Sequence, residues 1–232
     1  DHVYGNKAQG ITPLGRLIDR GYLDAIGWKG IRQRKVHIMD SLRHAIDMVN
    51  GSGTETRIMD VASGPGRYLL ETLKNMPDRN ISALLRDYDE RNLIAGKRLA
   101  EQMAVKNVEF AQGDAFSRES LSSVRPRPNI IVVSGLYELF PANSMVMDSL
   151  AGIADVLEDN GYLIYTCQPW HPQVEMFART LTNREGKPWI MRRRTQAEMD
   201  ELVRSVGFNK LDMKVDEYGI FTVSVAQKRR AK

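Results

Sequence analysis

Apolar and polar positions follow two distinct patterns along this chain. From residue 29 to residue 50, apolar side chains recur at intervals of three and four, which predicts an amphipathic helix that ends at Asn50 and Gly51. Short apolar runs, typical of buried strands, then alternate with further helical patterns. The predicted strands cover residues 57–60, 81–85, 107–111, 129–133 and 161–166, with helices after the first, second and fourth. This order indicates a parallel sheet with helices on both faces.

The end of the chain follows a different pattern. Thr195 and Glu198 have the spacing of a capping box, and the helix that they begin is predicted to stop at Gly207. Two strands follow, over residues 210–215 and 220–225, and their four-residue link allows only a hairpin. We therefore expect an α/β fold, a doubly wound seven-stranded sheet that is parallel except for an antiparallel last strand.

The composition is that of a globular domain. The 232 residues are 42% apolar, which is enough for one sizeable core. No apolar run reaches the roughly 18 residues of a membrane span, and no secretory signal pattern opens the chain. The lone cysteine, Cys167, cannot form an internal disulfide, so we expect a reducing, cytoplasmic location. Because the chain begins at Asp1 without a methionine, we expect it to be trimmed or part of a longer polypeptide.

The charge is close to balanced. The net charge is +4, from 33 basic and 29 acidic residues, and the last five residues carry four of the positive charges. The body is therefore nearly neutral, and a nucleic-acid partner is not expected. Two internal basic clusters could hold an anionic substrate, or could simply lie exposed on surface elements. One comprises Arg192, Arg193 and Arg194, and the other, the N-terminal basic cluster, comprises Lys7, Arg16, Arg20, Lys29, Arg32, Arg34 and Lys35.

The first predicted strand ends in an acidic residue and a loop of small residues. Residues 60–66 are Asp-Val-Ala-Ser-Gly-Pro-Gly, and a helical pattern follows directly. Gly64 and Gly66 let the backbone turn sharply and approach a ligand closely, because glycine has no Cβ. The first amides of the following helix have no intrahelical partner and can face that ligand. This glycine loop therefore predicts a nucleotide-cofactor site.

Four segments, in sequence order, resemble the class I S-adenosylmethionine-dependent methyltransferases, over about residues 56–227. The glycine loop is similar to that family's acidic-x-Gly-x-Gly-x-Gly loop, with Ala62 in place of the first glycine. Asp87, 21 residues after Gly66, matches the carboxylate that accepts the ribose hydroxyls, and Asp114 matches the acceptor for the adenine amine. The resemblance implies S-adenosylmethionine as cofactor, with contacts at Asp60, Ala62, Ser63, Gly64, Pro65, Gly66, Asp87, Tyr88, Gly113, Asp114, Ala115 and Ser134.

The resemblance also implies an organisation of the chain. In this family the segment before the matched region commonly forms a lid, so we expect a helical N-terminal cap over residues 1–50 and a cofactor-binding domain over residues 51–232. A dinucleotide-binding oxidoreductase fits less well, because Leu69 occupies the third glycine position of its fingerprint. The glycine loop is also similar to an uncharacterised bacterial methyltransferase group fused behind hydrolase-like domains. A fused or partner domain before residue 1 is therefore expected.

Methyl transfer is an in-line displacement, so much of the catalysis lies in holding donor and acceptor together, and a base is optional. The candidates for a base follow the fourth and fifth strands and are Tyr137, Glu138 and His171. Cys167 resembles the nucleophile of RNA cytosine-carbon methyltransferases. Their Pro-Cys after the fourth strand is missing here, so a buried small side chain is the preferred interpretation. His37 and His44 are expected to be solvated.

Taken together, these patterns favour a methyltransferase that moves a methyl group to a small-molecule or lipid-like acceptor carrying an anionic group. The alternatives are an RNA-modifying methyltransferase and a catalytically idle cofactor-binding module. No metal is predicted, because no histidine, cysteine or acidic grouping has ligand spacing. If the N-terminal basic cluster holds the acceptor, replacing Arg32 and Arg34 by alanine raises the KM for the acceptor and leaves cofactor affinity unchanged.

Overall fold

The computed structural model describes residues 2–51, 53–183 and 186–229, so residues 230–232 of the basic tail lie outside the described residues. Its strands are β1 (Thr56–Asp60), β2 (Ile81–Asp87), β3 (Val108–Gln112), β4 (Ile130–Val133), β5 (Tyr162–Cys167), β6 (Phe208–Val215) and β7 (Thr222–Lys228). They form one sheet in the order β3-β2-β1-β4-β5-β7-β6. β7 pairs antiparallel with both β5 and β6, and the other pairs are parallel. The fold predicted from the sequence is confirmed.

The described helices are α1 (His2–Gly5), α2 (Pro13–Leu23), α3 (Ile26–Asn50), α4 (Arg67–Lys74), α5 (Glu90–Met103), α6 (Arg118–Ser122), α7 (Asn143–Val156), α8 (Val174–Thr180) and α9 (Gln196–Ser205). α3 begins three residues before the predicted position. α6 and α8 were not predicted, because five and seven residues are too short to show a helical period. At the start of α9, the Thr195 hydroxyl accepts from the Glu198 amide at 3.1 Å, as predicted.

Successive residues of the buried strands face opposite layers of the molecule. Ile58 on β1 and Ile130 on β4 lie in a core that also includes residues of α3 and α4. Their neighbours Met59 and Ile131 lie in a second core, with residues of α7 and α9. Both faces of the sheet are therefore covered, and the carboxyl ends of the parallel strands remain at one edge.

The N-terminal helices differ in how deeply they are buried. α3 contributes Ile38, Leu42 and Ile46, all fully buried, to the same core as β1 and β4. α2 buries only Leu23 among its residues. The second half of the predicted cap is thus a layer of the main core, and the division at residue 50 stays a prediction. Among the described residues, no helix combines the length and apolar character that a bilayer crossing requires.

Candidate active site

The glycine loop between β1 and α4 depends on two left-handed glycines. Gly64 has a φ of +55° and Gly66 a φ of +72°, a region that residues with side chains rarely adopt. A Cβ on Gly66 would also overlap Leu85 Cδ2 on β2. Ala62 is not among the described residues with positive φ, so alanine fits the first position of the loop. The backbone conformation therefore favours glycine at both positions, and the contact with Leu85 leaves little room for a Cβ at Gly66.

A cavity of about 200 Å³ lies beside this loop and is called the loop cavity here. Its walls are residues 62–66, the start of α4, Ser134 and Gly135 after β4, and Tyr4 and Arg34 from the N-terminal helices. Arg67 supplies a second cation, and no carboxylate is among the lining side chains in the described part of the chain. The wall of the loop cavity therefore contains two cationic side chains, of which Arg67 also lies 3.7 Å from Glu71. The loop cavity lies at the strand ends where such sheets bind ligands.

Asp60, at the end of β1, is completely buried beneath the glycine loop. Its Oδ2 accepts a hydrogen bond from the Tyr68 hydroxyl, whereas its Oδ1 has no partner in the described chain. Burial raises the pKa of Asp60 to about 7, although hydrogen bonds from Tyr68 and from the Ala62 backbone lower it. An acceptor atom is thus left unsatisfied next to the loop, which is the arrangement expected where a ligand donor completes the site.

Asp87, at the end of β2, ties the glycine loop to the neighbouring strand. Its Oδ2 accepts from the Gly64 amide at 2.8 Å. Its Oδ1 accepts from the Asp89 amide at 2.8 Å and from the Asn92 side chain at 3.0 Å. A carboxylate offers about four acceptor positions, so about one remains for a ligand.

The other residues matched to cofactor contacts lie around the end of β3. Tyr88 is 69% exposed, and Asp114 Oδ1 accepts from the Phe116 amide at 2.8 Å. The Gly113 amide donates to the Asp87 carbonyl at 3.1 Å, which places this segment next to β2. Ala115 directs its side chain into the core shared by α7 and α9. The assignment of these residues to cofactor binding stays a prediction.

Two of the three candidate bases are engaged in packing. The Tyr137 hydroxyl lies 2.9 Å from Ser149 Oγ on α7, and burial raises its pKa. His171 is buried, accepts from the Gln173 amide through Nδ1 at 3.0 Å, and has Nε2 against Gly27 of α3. Burial lowers the pKa of His171, so its ring is neutral near neutral pH. Neither side chain lines the loop cavity.

Glu138 is the candidate base that contacts a residue lining the loop cavity. Its Oε1 lies 3.3 Å from Nη1 of Arg34, and both side chains are buried. The Arg34 guanidinium also lies 4.8 Å from the ring centroid of Phe221, a cation–π distance. Desolvation opposes the charge of Arg34, but the Tyr4 hydroxyl and Glu138 outweigh it and raise its pKa. Arg34, on α3, therefore places a permanently charged guanidinium at the strand-end site.

The remaining basic residues mostly bind the chain itself. Arg32 donates to the Leu23 carbonyl at 3.0 Å, and Lys35 pairs with Glu71 at 2.5 Å. Arg194 is buried and donates to the Tyr137 carbonyl at 2.6 Å, and Arg192 pairs with Glu198. Five cluster members, Arg20 included, thus bind the chain itself. Arg34 lines the loop cavity, and Lys7, Arg16, Lys29 and Arg193 are exposed.

The other singled-out side chains have structural surroundings. Cys167 is buried, donates to the Arg194 carbonyl at 3.3 Å, and has its pKa raised to about 12 by burial and by the charges of Glu138 and Asp200. It is therefore a neutral thiol. His44 is exposed, as predicted, whereas His37 is only partly exposed and its Nδ1 has no partner among the described residues, so His37 is less solvated than predicted. Among the described residues, no group of three or more His, Cys, Asp or Glu could hold a metal ion.

Sequence reasoning missed several residues that line these cavities. Arg67 and Tyr68 line the loop cavity, and Gln168 lines a small cavity next to Glu138. Gln168 follows β5 directly, so its position at a strand end was a usable signal. Tyr4 lies in the segment that was expected to form a lid, and it lines the loop cavity.

A family described as "Putative methyltransferase" matches residues 1–228 of the chain. The chain belongs to this methyltransferase family. A relative from Escherichia coli (strain K12), described as uncharacterized protein YnbC, is 50% identical over 231 residues. The match covers 99% of this chain and 39% of the relative, so the chain spans about two fifths of that relative's length.

Solved structures with low sequence identity share the fold of this methyltransferase. A protein from Bordetella parapertussis, described as a "possible exported protein", has a TM-score of 0.78 at 18% identity, over 99% of this chain and 78% of its own. Magnesium protoporphyrin IX methyltransferase from Synechocystis PCC 6803, solved with bound SAH, has a TM-score of 0.63 at 11% identity, over 88% and 87%. The recognition of a class I S-adenosylmethionine-dependent methyltransferase from its sequence is confirmed.

Proposed function

We propose that this methyltransferase transfers a methyl group to a small-molecule or lipid-like acceptor that carries an anionic group. The observation that supports this is the presence of two guanidinium groups, those of Arg34 and Arg67, in the wall of the loop cavity. Each also pairs with a glutamate, Arg34 with Glu138 and Arg67 with Glu71. A guanidinium in a partly desolvated cavity favours carboxylate or phosphate groups, which it can bind through two donors. Arg34 uses Nη1 on Glu138, and its other terminal nitrogen lies beside Gly135.

The residues of the glycine loop fit S-adenosylmethionine. The unpartnered Asp60 Oδ1 suits the donor's ammonium group, because a buried carboxylate oxygen without a donor is costly. The left-handed turn at Gly64 and Gly66 permits close approach of the backbone. Asp87 can accept one ribose hydroxyl without rearrangement, since its other positions are occupied by Gly64, Asp89 and Asn92. Tyr88, Asp114 and Ser134 complete the proposed donor contacts.

The chain's part in the reaction is chiefly positional. When bound, S-adenosylmethionine supplies a methyl group on a sulfonium, which is already an activated leaving group. Residues 62–66 and Asp87 would fix the donor, while Arg34 would hold the acceptor on the other side of the loop cavity. Alignment of the reacting atoms can supply a large part of the rate enhancement, on the order of 7 to 11 kcal/mol in favourable cases.

Incubation with radiolabelled S-adenosylmethionine and a fractionated bacterial extract tests the proposal. We expect label in small molecules or lipids that an anion exchanger retains. Label in RNA would instead support the RNA-modifying alternative, and label in neutral or cationic small molecules would contradict the anionic acceptor. If no fraction is labelled while calorimetry shows that the donor binds, the idle-module alternative is supported.

A cytoplasmic location and a fused or partner domain belong to the same proposal. The chain covers 39% of the length of its Escherichia coli relative, so the relative contains a further region of unassigned role. That observation supports a larger functional unit for this methyltransferase. Affinity purification of the natural polypeptide and measurement of its mass test for a fused or partner domain. Cell fractionation tests the cytoplasmic location.

A further inference from the structure

A second, much smaller cavity lies between the carboxyl ends of β4 and β5. Its volume is about 10 Å³, which is room for one water-sized group. Its lining residues include Glu138, Gln168 and Tyr137, together with Thr166, Cys167, Arg192, Arg194 and Met199. We call it the Glu138–Gln168 pocket. It is next to the loop cavity, because Glu138 pairs at 3.3 Å with Arg34, which lines the loop cavity.

Two side chains that line this pocket each have a buried polar atom that lacks a partner in the described chain. Glu138 Oε2 is an acceptor without a donor, and Gln168 Nε2 is a donor without an acceptor. Both side chains are more than nine-tenths buried, with exposures of 6% for Glu138 and 3% for Gln168. Buried polar groups in folded proteins nearly always have a partner, so a pair of opposite orphans in one cavity indicates a missing polar group.

We propose that the Glu138–Gln168 pocket binds a hydroxyl of the acceptor, and that this hydroxyl oxygen is the atom that becomes methylated. One hydroxyl can donate to Glu138 Oε2 and accept from Gln168 Nε2 through the same oxygen. An ammonium group cannot accept from Gln168, and a second carboxylate would be repelled by Glu138. The inference rests on the proposed function and names the acceptor as an alcohol or phenol that also carries an anionic group.

The geometry gives Glu138 a chemical task. Glu138 Oε2 takes the hydroxyl proton while the oxygen forms its bond to the methyl carbon. The carbon–sulfur bond of the donor breaks, and its electron pair stays on the sulfur, which loses its positive charge. Gln168 holds the oxygen through its amide and takes no part in the proton transfer. Arg34 keeps the carboxylate oriented through Oε1.

Replacement of Gln168 by methionine tests the pocket without touching the Arg34 pair. The free protein loses an unpartnered buried donor, so its Tm is expected to stay constant or to rise by about 2 to 4 °C. The KM for the labelled acceptor fraction should rise about tenfold, with the affinity for S-adenosylmethionine unchanged by calorimetry. The exposed Gln102→Met serves as the matched control and should change neither quantity.

The outcomes separate this inference from the proposed function. A lower Tm for Gln168→Met with an unchanged KM means that the pocket holds a structural water only, and overturns the inference. A wild-type protein that binds the donor but labels no fraction overturns the proposed function and this inference with it. Labelled product that releases methanol in mild base is a methyl ester, which also overturns the inference, because an ether survives that treatment.

Glu138→Gln provides a second measurement. The kcat is expected to fall by about a hundredfold or more, as for loss of a general base. The exposed Glu101→Gln is the control, with no change expected. A raised KM for the acceptor with an unchanged kcat would show that Glu138 only positions Arg34, and would overturn its role as the base.

Discussion

At the scale of single residues, the site contains two buried carboxylates with different surroundings. Asp60 has one hydroxyl partner and one free oxygen, whereas Asp87 has three donors from the chain. Hydrogen bonds to a carboxylate favour its charged form, and burial without them disfavours it. Asp60 is therefore the group whose protonation is poised near neutral pH, with a pKa of about 7.

This difference predicts a pH dependence of stability for the free protein. The folded protein keeps the proton on Asp60 up to about pH 7, whereas an unfolded chain releases it near its ordinary value of 3.8. The folded state thus binds more protons in this window, and the free energy of unfolding should fall as the pH rises from about 4 to 7, and then level off. Urea denaturation of the wild type and of Asp60→Asn, compared at each pH, measures this pH dependence of the free energy of unfolding.

In Asp60→Asn this contribution is absent, so the difference in unfolding free energy between the two proteins should change by up to a few kcal/mol across the window. Other groups titrate in both proteins and cancel in that difference. A difference that does not vary between pH 4 and 7 would show that Asp60 titrates normally.

Asp87→Asn is predicted to weaken S-adenosylmethionine binding about ten- to hundredfold, which is roughly 1.5 to 3 kcal/mol. The asparagine amide places a donor against the Gly64 or Asp89 amide, which are donors themselves, so the loop loses its anchor on β2. Calorimetry of donor binding is the measurement, with the exposed Asp78→Asn as the control. An unchanged dissociation constant for Asp87→Asn would remove Asp87 from the site.

At the scale of single residues, the sequence predicts which chemical groups the site contains better than it predicts which side chains contact each other. Gly64 and Gly66 were recognisable because a sharp left-handed loop favours glycine, and Asp60 was recognisable because it matches the acidic residue of the family's loop. Tyr137 and His171 could not be distinguished from Glu138, because the direction of a side chain after a strand depends on its tertiary partners. Ser149 lies against the Tyr137 hydroxyl, and Gly27, which is distant in sequence, lies against the His171 ring.

At the scale of elements, the glycine loop depends on space as well as on dihedral angles. Gly66 caps the start of α4 in a left-handed conformation and lies against Leu85 of β2. The alternating strand and helix patterns were predictable because each extends over enough residues for its apolar period to be recognised. α6 and α8 are only five and seven residues long. Helices this short are stabilised by packing against the rest of the fold, and not by their own sequence.

Gly66→Ala is predicted to destabilise the protein by about 2 to 4 kcal/mol. About 1 to 2 kcal/mol reflects the left-handed φ, and the remainder reflects overlap of the new Cβ with Leu85. The control is Gly219→Ala in the β6–β7 hairpin, where φ is +68° and nothing lies within 4 Å, so only the cost of the left-handed φ, about 1 to 2 kcal/mol, is expected. Chemical denaturation measures the stability that each variant loses. Equal losses of stability for Gly66→Ala and Gly219→Ala would contradict the packing argument.

At the scale of the whole molecule, the fold joins the N-terminal helices to the catalytic sheet. The doubly wound sheet was predictable because strand and helix order restricts the topology to very few arrangements. The position of α3 was not predictable, because an amphipathic period shows that a helix buries one face, but not which surface it covers. α3 covers the face that contains Ile58 and Ile130, and it also carries Arg34 into the site.

A chain of residues 51–232 alone is therefore predicted not to fold cooperatively, since removal of α3 uncovers the apolar face of the sheet. A chain of residues 25–232, which lacks only α1 and α2, should keep a cooperative thermal transition. Near-ultraviolet circular dichroism during heating distinguishes the two. A cooperative transition in the shorter chain would support residues 51–232 as an independent domain.

The most direct test of the account is a crystal structure of the protein with S-adenosylhomocysteine, the product that remains after methyl transfer. The account predicts the adenosine moiety in the loop cavity against residues 62–66, with a ribose hydroxyl on Asp87 and the ammonium group on Asp60. Density for the product anywhere else in the molecule, or a loop cavity that stays empty at saturating concentration, would contradict it.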